Sequence, residues 1–381
     1  MKTKIISIIL LLLSLFACEK DQPEEADLLT PQDIQDLLDI NNFQVPFTLT
    51  HNVKIIKITY MTPDPSGTLK NATGAIFIPE TTGNFPVLSF QHGTQTFRHL
   101  VPSLGAGNSE AGLAGAVAAS MGYVCVAADY LGLGDSEIVP PFLIADNSAT
   151  TVIDMLRASL SHLESIGVQT DGSLYLIGYS QGGHVTMATH HEIEKNYSDE
   201  FTVSASAPLA GPYDLLSTVD TVLSWETYVE PILMANLMNS YNYYYEWDRL
   251  DEIFKEPYAS DIPGYFDGLH MMGAINDELS QSLEEMLQES FVEGFKSGNE
   301  LAVREAISDN SLLNFVPTAP VLLVHGDADM TVPYFNSLKA KEYYTSQGKA
   351  NVELITIQGN HQDAAADAII KAMEWIVSLR K

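Results

Sequence analysis

Along the chain, apolar and polar positions first alternate with a period of two, then give way to short apolar runs separated by helical patterns. Residues 53–60 alternate with period two, as a strand does with one face in a core and the other in water. Short strands are predicted at 73–78 and 87–90, divided by turn signals at 63–67 and 82–84. The order then becomes helix 111–121, strand 123–128, helix 149–166, strand 174–177, helix 182–197 and strand 203–207. Further on, 321–324 and 352–357 read as strands, and 334–347 and 364–379 as helices. Antiparallel strands followed by alternating units predict an α/β domain: a mostly parallel sheet of eight strands covered by helices on both faces. Upstream, Thr30-Pro31-Gln32-Asp33 has the cap, proline and first-turn carboxylate of a helix start.

The alternation stops between Pro212 and Val316. This segment is helical in composition and rich in aromatic residues, among them Trp225, Tyr228, Tyr241, Trp247, Phe254 and Phe266. It reads as a helical cap inserted at 212–316 into a core formed by 46–211 and 317–381. Most of its aromatic side chains belong in the cap's own core, and a few facing the sheet would make a pocket. It holds twenty carboxylates against four basic residues, about half of the chain's net charge of −30. That balance excludes nucleic acid and broad adsorption to anionic lipid.

The first residues set a compartment. Met1-Lys2-Thr3-Lys4 is basic and 5–16 is apolar, too short for a stable membrane span, which takes about 20 residues. A signal peptide over 1–17 is the expectation. Leu15-Phe16-Ala17-Cys18 resembles the lipobox of bacterial lipoproteins. That resemblance implies a lipid on Cys18, membrane attachment through it and a place in the cell envelope, at the outer membrane or surface of a Gram-negative bacterium; a plain secretory signal is the alternative. Residues 18–45 would then form a tether, acidic at first, and the N-terminal helix. Loss of Lys2 and Lys4 with the signal takes the charge from −30 to −32. The one other cysteine, Cys125, lies in an apolar strand and fits core filling, with no disulfide.

The candidate chemistry starts at Leu174-Tyr175-Leu176-Ile177-Gly178-Tyr179-Ser180-Gln181-Gly182-Gly183. An apolar run passes through Gly-x-Ser-x-Gly into a helix, the pattern of a nucleophile elbow. The turn strains the serine, and Gly178 and Gly182 remove Cβ atoms that would collide. The Gln181 N–H would open the helix and point at an oxyanion formed near Ser180. Two later strands end in matching residues: 321–324 runs into a loop carrying Asp327 and Asp329, and 352–357 is followed by His361. A base to take the serine proton and an acid to hold the base complete a triad in the order Ser, acid, His. Asp214, just past the strand at 203–207, is a third candidate acid, though it better fits capping the first cap helix.

These phrases, with Gln91-His92-Gly93-Thr94 and Asp129-Tyr130-Leu131-Gly132-Leu133-Gly134, resemble the α/β-hydrolase superfamily and its secretory-lipase and esterase branch. The resemblance implies that Asp329 is the acid, that Asp327 structures the loop and that the Thr94 N–H is the second oxyanion donor. His92 fits a role bonding the loop backbone. His184, His190 and His191 lack metal-ligand spacing and read as surface or helix-packing residues, with no metal and no cofactor required. The expected reaction is hydrolysis of a carboxylic ester through an acyl group on Ser180, the substrate being a small-molecule, glycan or lipid ester with an apolar or aromatic part. The alternatives are a serine peptidase and a non-catalytic surface lipoprotein.

Overall fold

The structure is a computed structural model, and it describes residues 27–380. The expected signal, Cys18 and the acidic start of the tether lie outside the described residues.

Nine strands form one sheet: β1 (Asp27–Leu29), β2 (Val53–Pro63), β3 (Leu69–Pro79), β4 (Asn84–Gln91), β5 (Val124–Ala128), β6 (Gln169–Tyr179), β7 (Val203–Leu209), β8 (Val321–Gly326) and β9 (Val352–Ile357). Their spatial order is β1-β2-β3-β5-β4-β6-β7-β8-β9. Pairing is antiparallel from β1 to β5 and parallel from β5 to β9. The sheet therefore has one strand more than the eight expected. β1 falls in the stretch read as tether, where three residues are too few to reveal alternation, and it is held by pairing with residues 53–55 of β2.

Four helices cover the first part of the sheet: α1 (Pro31–Ile40), α2 (Glu110–Ser120), α3 (Ala145–Ser165) and α4 (Gln181–Asn196). Eight lie between β7 and β8: α5 (Leu215–Val222), α6 (Pro231–Tyr244), α7 (Leu250–Ile253), α8 (Tyr258–Tyr265), α9 (Met272–Glu278), α10 (Leu283–Met286), α11 (Glu289–Lys296) and α12 (Leu301–Asp309). α13 (Phe335–Ser346) and α14 (His361–Leu379) complete the fold. Alternate side chains of β4 enter opposite layers. Leu88 and Phe90 meet α1, α2 and α14, whereas Val87 meets α3 and α4. α5 to α12 build a separate core around Phe254, Phe291 and Phe295, into which the sheet domain inserts Phe142, Leu143 and Ile144. Among the described residues, no helix is long and apolar enough to cross a membrane.

The order of the central strands places the site. From β4 the chain crosses to β5 on one side and then returns to β6 on the other. A crevice opens beyond the carboxyl ends of adjacent strands at such a reversal. β4 ends there at Gln91 and β6 at Tyr179.

Candidate active site

Ser180 joins β6 to α4 with φ +61° and ψ −122°, a strained conformation for a residue with a side chain. Its N–H donates to the Leu209 carbonyl at 2.9 Å, locking the turn against β7. A Cβ on Gly182 would lie 2.0 Å from the Gln91 carbonyl oxygen, and one on Gly178 would lie 2.5 Å from the same atom. Glycine at both positions lets β4, β6 and α4 meet.

The three strand-end residues converge. Ser180 Oγ is 2.8 Å from His361 Nε2, and His361 Nδ1 is 2.5 Å from Asp329 Oδ2. The other carboxylate oxygen, Oδ1, accepts from the N–H groups of Thr331 and Val332 at 2.9 and 2.8 Å. Burial alone would raise the Asp329 carboxyl, but hydrogen bonds from His325 and His361 hold it down at about 2. At neutral pH it is an anion fixing the imidazole so that Nε2 faces Ser180. The Tyr179 hydroxyl donates to the His361 carbonyl at 2.6 Å and anchors the start of α14.

His325 belongs to the motif, but no role for it could be read from its place there. It is fully buried, with Nε2 3.2 Å from Asp329 Oδ2 and 2.9 Å from the Val332 carbonyl oxygen. Both are acceptors, so Nε2 carries the hydrogen and Nδ1 accepts from the Ser337 hydroxyl at 2.8 Å. Asp329 thus receives a second imidazole donor from behind. Spacing could have flagged it, since His325 and Asp329 sit four residues apart across a tight loop.

The rival acids are committed elsewhere. Asp214 caps α5 by accepting from the Ser217 N–H at 3.0 Å and pairs with Lys339 at 2.7 Å. Asp327 accepts from the Gly359 N–H at 3.1 Å, tying the two strand-end loops together. The His92 ring lies 2.7 Å from the Gly93 carbonyl oxygen and 3.1 Å from that of Asp129, so it braces the loop after β4. His184, His190 and His191 are all buried rather than on the surface. They reach the Asn310 carbonyl, the Ser206 hydroxyl and the Tyr344 hydroxyl respectively, because the face of α4 that carries them is pressed into the domain. Among the described residues, no group of three or more His, Cys, Asp or Glu side chains is placed to hold a metal ion. Cys125 is buried, and burial pushes its thiol up, away from the reactive thiolate.

Thr94, Ser180 and Gln181 line a cavity of about 50 Å³ beneath the inserted helices. Neither the Thr94 nor the Gln181 N–H donates to a main-chain carbonyl among the described residues. The remaining wall departs from the expected aromatic pocket. Of the cap's aromatic side chains only Tyr228 lines it, together with Leu215, Val219, Leu233, Met234 and Leu237. Tyr241, Phe254 and Phe266 are consumed in the insert's own core. The Tyr228 hydroxyl, meanwhile, donates to the Thr331 carbonyl at 2.8 Å, fastening the insert to the loop that carries Asp329.

A profile of the secretory lipase family matches residues 113–378, more than half of the chain and inclusive of Ser180, Asp329 and His361. Lipase 9 of Candida albicans is 23% identical over 270 residues, covering 67% of this chain and 56% of that protein. The chain thus spans about half the length of the curated relatives it matches. The crystal structure of LipA from Xanthomonas oryzae, a rice cell wall degrading esterase, superposes with a TM-score of 0.83 at 26% identity, covering 93% of this chain and 97% of that one. A protein from Legionella pneumophila gives 0.85 at 28% identity, with 94% and 97% covered. An elbow serine at a strand reversal, its histidine and acid on the following strand ends, and a match across most of the sheet agree: the chain belongs to the secretory lipase family, with the α/β-hydrolase fold.

Proposed function

We propose that this protein hydrolyses carboxylic esters through an acyl-enzyme on Ser180, with His361 as base and Asp329 as its orienting anion. The observation that carries the reading is the unbroken hydrogen-bond relay from Ser180 Oγ through His361 to Asp329. Ser180 Oγ attacks the carbonyl carbon while its proton passes to His361 Nε2. The tetrahedral oxyanion is held by the Thr94 and Gln181 N–H groups, each donor of this kind being worth about 100- to 1000-fold in rate. Collapse expels the alcohol, which takes the proton from His361. Water, deprotonated by the same imidazole, then attacks the acyl carbon and releases the carboxylic acid, restoring Ser180.

The aliphatic cavity beside Ser180 has room for roughly four water molecules, which suits a short aliphatic acyl group such as acetyl or butyryl. The insert's twenty carboxylates against four basic residues favour neutral over anionic esters. The likeness to an esterase described as degrading cell walls supports short acyl esters of polysaccharide as one natural class. Export and a lipid anchor on Cys18 complete the proposal, resting on the lipobox resemblance; Cys18→Ser protein retained in washed membranes would refute the anchor.

Ser180→Ala and His361→Ala should each abolish turnover of p-nitrophenyl butyrate, leaving far-ultraviolet circular dichroism unchanged. A fluorophosphonate probe should label the native protein and not Ser180→Ala. Labelling that survives the substitution, or more than a few per cent of residual turnover, would overturn the assignment.

A further inference from the structure

A second and larger cavity, about 280 Å³, is lined at one end by Gln362, the residue after His361. It is a groove between α2 and α14, floored by Leu88 and Phe90 of β4 and roofed by residues 43–47. Residues 110 to 118 of α2 and 362 to 373 of α14 line it, so it runs about 12 Å along the helices. Protein interiors leave few voids larger than a water molecule, so an apolar space of this size is itself a feature. Its walls are almost wholly hydrocarbon, Val117, Ile369, Ile370 and Met373 among them.

Polar groups occur chiefly at its catalytic end. Glu110, the first residue of α2, and Gln362, the residue after His361, both line it there. A Cβ on Gly93 would lie 3.9 Å from Glu110 Oε2 and 4.0 Å from Ser180 Cβ. A single side-chain-free residue of the oxyanion loop therefore separates the carboxyl from the nucleophile. The Glu110 side chain is exposed at the mouth of the groove, yet the protein packed around its carboxyl raises it to about 7, with His361 pulling the other way.

Resting on the ester-hydrolase reading, the geometry points to this groove as the site of the ester's alcohol half, for a neutral alkyl alcohol of medium length. An ester on Ser180 has three directions to fill. Its carbonyl oxygen meets the N–H groups of Thr94 and Gln181, and its leaving oxygen must face His361 Nε2 to take up a proton. The small cavity under the insert is lined by Thr94, Ser180 and Gln181 and accommodates the acyl group. The groove is lined by the neighbour of His361 and accommodates the alkoxy chain. Its terminal oxygen sits near Glu110 and Gln362, and its hydrocarbon displaces water along α2. A fatty carboxylate is disfavoured because its head would meet the Glu110 carboxyl.

The test is a series of acetates whose alcohol lengthens from ethyl to octyl, with active sites counted by fluorophosphonate titration. Each methylene drawn from water can add at most roughly fourfold to kcat/KM, and a gain of at least tenfold from ethyl to octyl acetate is expected overall. Ala114→Trp on α2 and Ala366→Trp on α14, which fill the groove from opposite walls, should each cut the octyl-to-ethyl ratio at least tenfold. Independently of turnover, 1-octanol should raise the melting temperature of Ser180→Ala protein but not of Ser180→Ala/Ala114→Trp. A native protein that neither labels nor cleaves ethyl acetate would sink the esterase reading itself. Cleavage of ethyl acetate without a length gain, or with a gain that both tryptophan variants retain, would overturn the groove alone. Octanol stabilisation that the filled variant keeps would do the same.

Discussion

Asp329 and Glu110 both act electrostatically on His361, one from the loop after β8 and the other from the first turn of α2. Asp329 accepts two main-chain N–H groups and two imidazoles, and stays ionised despite burial. Glu110 is exposed at the mouth of an apolar groove, and the protein packed around its carboxyl raises it to about 7. The same chemical group is thus held down at Asp329 and pushed up at Glu110. Donors, more than distance, set this difference.

The largest effect should follow removal of the permanent anion. Asp329→Asn should lower kcat by on the order of 1000- to 10,000-fold, because the wrong imidazole tautomer then faces Ser180. Asp327→Asn and Asp214→Asn should each cost less than about threefold, since neither carboxylate bonds His361. Kinetics on p-nitrophenyl butyrate check both, and a greater loss at Asp214 would move the acid to the loop after β7.

A finer cut removes one donor and leaves the carboxylate. A hydrogen bond to a charged group is worth about 1.5–3 kcal/mol, so His325→Phe should lower kcat roughly 10- to 100-fold with little change in KM. His325→Gln, which keeps a donor near Asp329, should recover part of that loss. Equal losses in both variants would mean that His325 merely fills space.

The smallest effect probes the other carboxyl through stability. Folding raises Glu110 from its usual 4.5 to about 7, so the folded chain holds its proton more tightly than the unfolded chain. Glu110 therefore costs nothing below pH 4.5, and its penalty grows as pH climbs to 7. Glu110→Gln should match the native melting temperature at pH 4 and exceed it at pH 8 by about 2 °C. A difference of the opposite sign, or one that is constant with pH, would show that Glu110 has a favourable partner.

What could be read in the sequence divides along the same line. The elbow at Ser180, the parallel strands and the histidine after β9 come from local signals: an apolar run, two glycines, a strand end. Features created by distant partners could not be read this way. β6 starts at Gln169, earlier than its apolar run, because Asn84 and Phe85 of β4 hold Gln169 and Thr170 in register. α3 starts at Ala145, whose N–H donates to Asn310 Oδ1 from the far end of the insert. Glu110 reads as an ordinary first-turn carboxylate, favourable to the helix dipole. Only the neighbouring α14 reveals that it faces a cavity. Most of the insert's aromatic side chains build its own core, as expected, but which one would face the pocket, Tyr228, could not be read, since composition does not say which way a ring points.

The relay between Ser180 and His361 joins residues 181 positions apart in the chain. Closing so long a loop, with the whole helical insert inside it, carries an entropic cost that only late, non-local contacts repay. On the proposed mechanism, a chain that has formed β4, β6 and the elbow has its nucleophile and oxyanion donors but no base. Until β8 and β9 dock beyond the insert, Ser180 is an ordinary alcohol, so a nascent or half-folded copy cannot attack the esters around it. On the proposed mechanism, hydrolytic power therefore waits until both halves of the chain have come together.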